Sequence, residues 1–528
     1  MMIVLKPISK ILDLSRILYS RNADFMAKKP GKGIEPMTNK QAGNTAELSI
    51  AIIGTGFSGL CTAIQLKQAG FNNLTLFEKG DEVGGVWREN TYPGAACDVP
   101  WHLYSFSFEH RTDYSSPYPE QPEILAYQKF CAQKYGIYPH VQFNTEVTAA
   151  EFDDAQQLWN VQTDDGKTAS FNILITGVGQ LSRPGYPRLK GIDDFKGHSF
   201  HSAEWDHEYD LNGKKIACIG TGASAIQFIP EIAKQASELT VFQRTAPYLL
   251  PRFQRQYGAI NKWMFKTFPH YRDIFRYGIF GLAEASVPAF NDQSRLSRLF
   301  KWVSMRHLNK HVQDPELKKK LTPDYAIGCK RILFSSNYFP ALSRSNVNLI
   351  TEDIDHISTE GVVTKDGQTH AADTIIYGTG FKATEFLAPI KITGRDGLDL
   401  NDRWSKGAEA YKGITLDGFP NMFMCYGPNT NLGGNSIIFM IECQADYIVD
   451  SVEQLAASKA KSMEVRSDII NEYNRDLQEE LDNSVWSLGC GSWYSNAEGR
   501  ITNNWPGTNT RYRRITKNVD MENYKLSA

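Results

Sequence analysis

The chain has 528 residues, of which 41% are hydrophobic and 22% charged, with a formal net charge of −2. That length exceeds one compact core and calls for two or three domains. The charge content excludes an integral membrane protein, and the near-neutral balance excludes a chain recruited to nucleic acid by its overall charge. Eight cysteines are scattered without a C-x-x-C pair. No zinc or other metal site, redox dithiol or disulfide framework is therefore expected, and a reducing, cytoplasmic setting is.

Residues 1–47 precede the first strand pattern. Ile8, Ile11, Leu12 and Leu18 fall near helical spacing beside Lys6, Lys10, Arg16 and Arg21. Such a segment could rest on a membrane surface or serve in targeting. The plainer reading is a flexible extension upstream of Met26 and Met37, closed by a linker over Lys28–Asn44. It is too charged to span a bilayer.

The apolar run Ser49–Ile53 stops at Gly54 and reads as a buried parallel strand. A helical pattern follows to Gly70, and Leu74–Phe77 reads as the next strand, ended by Glu78. Gly54-Thr55-Gly56-Phe57-Ser58-Gly59 lies between strand and helix. In such a loop the first glycine permits a tight turn, the second admits a pyrophosphate, and the third lets helix and strand pack. Glu78 suits ribose hydroxyls and would repel a 2′-phosphate, so this unit fits FAD or NAD.

Further strands are expected at Phe143–Phe152, Trp159–Thr163 and Phe171–Thr176. The plan then repeats with strand Lys215–Ile219, loop Gly220-Thr221-Gly222-Ala223-Ser224-Ala225, a helix to Ala236, and strand Leu239–Phe242. The second copy ends in Gln243-Arg244-Thr245, and a guanidinium there suits the 2′-phosphate of NADP. Residues 252–325 carry aromatic and basic side chains at helical spacing, with Asp314 as N-cap and Pro315 at the first helical position. They predict a mostly helical insertion. Thr374–Tyr377 and Met422–Tyr426, each followed by glycine, are expected to complete the first sheet.

The fold class is thus α/β, with two Rossmann-like dinucleotide-binding domains and a helical insertion in the second. The expected division is 48–190 for the first part of the FAD domain, 191–210 for a linker, 211–370 for the NADP domain, and 371–528 for the second FAD part with a C-terminal lid. FAD and NADPH in one chain imply hydride transfer to flavin. With no redox dithiol to receive the electrons, molecular oxygen is the better acceptor.

The segment between the two loops, Phe195-Lys196-Gly197-His198-Ser199-Phe200-His201-Ser202-Ala203-Glu204-Trp205-Asp206, fits F-x-G-x-x-x-H-x-x-x-W-[PD] at every fixed position. It resembles the fingerprint of type I Baeyer–Villiger monooxygenases, a group of class B flavoprotein monooxygenases. The resemblance runs from about residue 48 to 515 and includes Gly84-Gly85-Val86-Trp87, Tyr92–Asp98, Gly328-Cys329-Lys330-Arg331 and Gly491-Ser492-Trp493-Tyr494. Trp101 and the N-terminal extension have no obvious counterpart in the family pattern.

The resemblance implies conversion of ketones to esters or lactones with NADPH and O2 through a C4a-peroxyflavin, with sulfides as possible further substrates and no obligate protein partner. It puts Arg331 at the catalytic arginine position and Asp98 at that of its carboxylate partner. A fixed guanidinium there would stabilise developing negative charge. Ser58, Glu78, Val86, Trp87, Asp98, Tyr104 and Val147 match FAD positions. Thr221, Gly222, Ser224, Arg244, Thr245, Lys330 and Trp493 match NADP positions. Lys330 is either a phosphate contact or a solvated charge, and Trp493 either a lid residue or a packing anchor. His201 is read as coupling the domains rather than as a base. The alternatives are an N- or S-oxygenating flavin monooxygenase and a non-catalytic flavin- and NADP-binding redox sensor.

Overall fold

The computed structural model describes residues 48–290 and 294–528. The amphipathic pattern in residues 1–47 lies outside the described residues. In chain order, the elements that position the cleft begin with β1 (Ile50–Ile53), α1 (Phe57–Gln68), β2 (Leu74–Phe77), β3 (Val141–Gln142) and β4 (Ile173–Thr176). Next come β5 (His198–His201), β6 (Lys215–Ile219), α2 (Ala225–Ile232) and β7 (Glu238–Phe242). The insertion supplies α3 (Ala259–Thr267), α4 (Pro269–Ser286) and α5 (Arg295–His311). The chain closes with β8 (Val347–Ile350), β9 (Thr374–Tyr377), β10 (Met422–Met424) and α6 (Ile437–Ala457).

Two five-stranded parallel sheets organise these elements. The first has the order β10-β4-β1-β2-β3 and the second β8-β7-β6-β9-β5. Strands such as β1, β4 and β9 are buried at all four positions, as parallel strands covered on both faces must be. Helix α1 buries nine of its twelve residues and packs on α6, whose first turn is capped by Ser436 accepting from Ile438 N. A smaller sheet of Val147–Asp153, Leu158–Thr163, Thr168–Phe171 and Lys391–Thr393 joins the first core. There the Trp159 indole N–H donates to the Pro420 carbonyl at 2.8 Å.

One strand goes elsewhere than the sequence pattern suggests. Met422–Met424 completes the first sheet, but Thr374–Tyr377 lies in the second, between β6 and β5. The apolar run alone does not tell which sheet it enters. Its turn decides the matter, because a Cβ at Gly220 would lie 2.4 Å from the Gly378 carbonyl oxygen, so Gly378 can follow only a strand beside β6. Residues 198–201 of the fingerprint are also more than a connection: they form the sheet-edge strand β5, paired with β9.

The insertion is clamped to the first core by polar contacts from α4. Arg276 donates to the His102 carbonyl oxygen. The His102 ring stacks on Trp101, with centroids 3.9 Å apart, and faces Phe275 at 5.6 Å. Burial, reinforced by Arg276 and Arg272, pushes the His102 pKa down to about 3. The unfolded imidazole has a pKa of about 6.5, so between these values the unfolded chain binds the extra proton. Stability from this site is therefore complete above pH ~6.5 and is lost on acidification, by about 2 kcal/mol near pH ~5. His102→Gln should flatten the acid limb of thermal unfolding across that range. An unchanged slope would remove His102 from the account.

Candidate functional site

The two glycine loops open on one cleft of about 1540 Å³, beyond the ~300–1,000 Å³ of an ordinary small-molecule pocket and suited to two dinucleotides. In the first loop, a Cβ at Gly56 would have Gly85 Cα as its nearest neighbour at 3.7 Å, leaving the N-terminus of α1 open to a pyrophosphate. A Cβ at Gly59 would lie 1.9 Å from the Gly54 carbonyl oxygen, so Gly59 serves the packing of α1 against β1 and does not line the cleft. Glu78 lines it at the end of β2. Its carboxylate accepts from Thr55 Oγ1 at 2.6 Å, Thr55 N at 3.1 Å, Gly80 N at 2.9 Å and Arg88 at 2.7 Å. Although burial opposes ionisation, these donors hold its pKa below the usual carboxylate range. Any ribose hydroxyl must share acceptors already in use.

The cleft wall then passes through Val86, Trp87, Tyr104 and Val147, with Ser58 at the start of α1. Trp87 donates its indole N–H to the Tyr104 hydroxyl at 3.1 Å, and the rings meet edge to face. This fixes an aromatic wall beside the first loop.

Across the cleft, Thr221, Gly222 and Ser224 line the second loop, while Ala225 lies behind it and packs toward Gly378. Arg244 is exposed just past β7, and Lys330 donates to Thr245 Oγ1 at 3.2 Å. Burial and the neighbouring Arg244 lower the Lys330 pKa. Two cations that disfavour each other at a strand end fit a bound phosphate dianion, which would relieve their repulsion. Arg244→Gln should raise the KM for NADPH about tenfold or more while leaving that for NADH nearly unchanged. Parallel initial-rate measurements with the two nucleotides check this, and equal changes for both would remove the 2′-phosphate role.

Between the two loops stand Asp98 and Arg331, 233 residues apart in sequence. Arg331 Nη2 donates to both Asp98 carboxylate oxygens, at 2.8 and 2.7 Å. Both side chains are partly buried, and the Asp98 carboxylate pushes the Arg331 pKa above its ordinary value. The guanidinium is therefore a permanent, oriented cation at the cleft surface. The half-buried Tyr426 and the buried Tyr494 add phenols near it, both with pKa raised by burial, Tyr494 to about 12, so neither is charged at neutral pH.

The chain matches the flavin-binding monooxygenase-like family over residues 47–389. It belongs to that family. A Baeyer-Villiger monooxygenase of Pseudomonas aeruginosa is 45% identical over 480 residues, covering 90% of this chain and 91% of the relative. A steroid monooxygenase solved in its oxidised form with NADP superposes with a TM-score of 0.82 at 29% identity, over 91% of this chain and 99% of that one. A cyclohexanone monooxygenase in its closed form gives a TM-score of 0.82 at 27% identity over the same shares.

The cleft of this flavin-binding monooxygenase gathers all the sequence-derived site residues except Gly59 and Ala225, which support the loops from behind. Sequence patterns missed Gln180, and reached Tyr426 and Asn431 only as parts of segments expected to shape the pocket, 422–426 and 429–436. Tyr426, at φ +66°, donates its hydroxyl to Asn431 Oδ1 at 2.9 Å, and Gln180 donates to the Tyr426 and Gly427 carbonyl oxygens. A signal existed in Gly427-Pro428-Asn429 directly after β10, the turn that carries these groups. His201 is fully buried, accepts from Ala203 N through Nδ1, and does not line the cleft.

The cysteine expectation needs correction. Cys329 and Cys490 form a disulfide across 161 residues. The other six cysteines are free and buried. Sequence separation hid the pair, because folding brings the C-terminal segment over the loop that carries Lys330 and Arg331. The bond thereby joins that loop to the stretch Gly491–Trp493, which also lines the cleft. Trp493 lies against Tyr494 with ring centroids 4.6 Å apart.

Proposed function

We propose that this flavin-binding monooxygenase uses NADPH and O2 to convert ketones to esters or lactones. The observation that carries the reading is the Arg331–Asp98 pair, placed between a flavin-type loop and an NADP-type loop in one cleft. The chemistry balances as ketone, O2, NADPH and a proton giving ester, NADP+ and water. Bound FAD would supply the two-electron redox chemistry and the activation of O2.

The chain's own residues do the rest. The first loop, with Ser58, Val86, Trp87 and Tyr104, holds the flavin dinucleotide. Thr221, Gly222, Ser224, Arg244, Thr245 and Lys330 hold NADPH, with Trp493 covering its reacting end. Arg331 stabilises negative charge that develops on the substrate carbonyl oxygen. Asp98 is a positioning residue: its two oxygens fix the plane of the guanidinium and balance its charge. Six free, buried thiols support a cytoplasmic setting, and the Cys329–Cys490 disulfide runs against it.

Product analysis over cyclic, linear and aryl ketones, run beside an organic sulfide, tests the reading. Ester or lactone formation coupled to NADPH oxidation is expected. Sulfoxide without any ester would favour an S-oxygenating enzyme, and absence of NADPH-driven oxygen uptake would favour a redox sensor.

A further inference from the structure

Helix α4 is built inside out. Its arginines and carboxylates, Arg272, Asp273, Arg276 and Glu284, are all partly buried, while His270 in its first turn is exposed. Arg276 bonds to the His102 carbonyl, and Glu284 accepts from Asn435 Nδ2, Asn509 N and Thr510 N at 3.0 Å each. Ile274, Gly278, Leu282 and Ala285 form an exposed stripe at helical spacing with no charge among them, flanked by the exposed rings of Phe275 and Tyr277. Ile274 is 63% exposed and Leu282 67%. A surface helix normally shows the opposite arrangement.

The neighbouring helices continue the pattern. On α3, Ile260 is 76% exposed and Trp263 55%, beside Lys262 and Lys266. On α5, Leu299 and Trp302 stand exposed among Arg298, Lys301, Arg306 and Lys310, and the Arg306 guanidinium lies 5.5 Å from the Trp302 ring centre. Residues 252–325 hold fourteen Lys and Arg against six Asp and Glu, a positive segment in a chain that is negative overall.

We infer that the outer face of α3, α4 and α5 docks on an anionic lipid bilayer as a peripheral contact. Exposed aliphatic and Trp side chains enter the boundary between headgroups and acyl chains, while the flanking Lys and Arg meet the lipid phosphates. Charge selects this occupant over a second copy of the chain, because a symmetric dimer through this face would set one basic segment against another. No helix among the described residues is long and apolar enough to cross a membrane, which agrees with a surface contact. The face also leads somewhere: Leu282, Ile279, Ala283 and Phe290 line the cleft. On the proposed ketone chemistry, an apolar substrate dissolved in the bilayer would enter along α4 without crossing water.

The test is binding of the full-length flavoprotein to vesicles, which reads nothing from catalysis and so can fail independently of the proposed reaction. Vesicles of phosphatidylcholine with about a third phosphatidylglycerol should sediment the protein about tenfold better than phosphatidylcholine alone, and salt should weaken the contact. The triple variant Ile260→Ser, Ile274→Ser and Trp302→Ser should lose binding about tenfold or more while keeping its flavin content, which reports folding. Lys301→Glu with Arg306→Glu should abolish the preference for the anionic vesicles. Failure of the full chain to bind overturns the inference, as does binding that these variants leave intact, which would move the contact to residues 1–47. Concentration-dependent self-association abolished by the same triple variant would assign the face to a second copy and also overturn it.

Discussion

Arg331→Ala is expected to lower ester formation by about 10²–10³-fold or more, the scale for losing a donor aimed at developing negative charge. NADPH oxidation should continue, because the altered side chain hydrogen-bonds Asp98 and neither glycine loop nor Arg244. Its reducing equivalents should emerge as hydrogen peroxide in place of ester. Arg331→Lys should recover little, since an ammonium cannot reproduce the contact in which Arg331 Nη2 reaches both oxygens of Asp98. Asp98→Asn should cost less than Arg331→Ala, because a neutral amide still shapes the site while giving up the charge that aligns the guanidinium. The two changes share one interaction, so the double variant should fall well short of the sum of the single effects. Product yield per NADPH oxidised, with peroxide measured in the same samples, checks all three variants. Ester formation by Arg331→Ala within about tenfold of the parent would take the carbonyl-stabilising role away from this arginine.

The parts of this molecule that were legible in sequence are those where local pattern and long-range role coincide. The strand at Lys215–Ile219 ends just before its glycine loop begins at Gly220, and the strand at Leu74–Phe77 ends just before Glu78, because the turn chemistry that stops a strand also builds the phosphate cradle. The Asp314 cap and Pro315 start are read correctly for the same local reason. What stayed hidden depends on partners far along the chain. An apolar run such as Thr374–Tyr377 fits either parallel sheet equally well, and only contact between Gly220 and Gly378 assigns it. Cys329 and Cys490 carry no mark of pairing until the C-terminal segment is folded beside the loop of Lys330 and Arg331. Net charge misled in its own way: a total of −2 averages away a strongly basic insertion. Helix α4 has an ordinary helical pattern whose polarity cannot be assigned to inside or outside before Arg276 and Glu284 find their partners.

Gly56→Val should yield a folded protein almost free of flavin. Gly56 has φ −72°, a value open to any residue, and its Cβ would meet only Gly85 Cα at 3.7 Å, so the substitution neither strains the backbone nor displaces a neighbour. The added isopropyl group instead occupies the approach to the N-terminus of α1, where a pyrophosphate must come within hydrogen-bonding distance of the backbone amides. Flavin absorbance per protein should fall at least about tenfold, and NADPH-driven oxygen uptake should fall with it. Gly222→Val supplies the complementary case, since a Cβ there meets nothing within 4 Å: flavin should remain bound while the KM for NADPH rises. Gly59→Val separates packing from binding. Its Cβ would lie 1.9 Å from the Gly54 carbonyl oxygen, so this variant should lose the fold itself, seen by circular dichroism, rather than the cofactor alone. Full flavin occupancy in Gly56→Val would place the dinucleotide outside the first loop and break the assignment of the two cofactors to the two sheets.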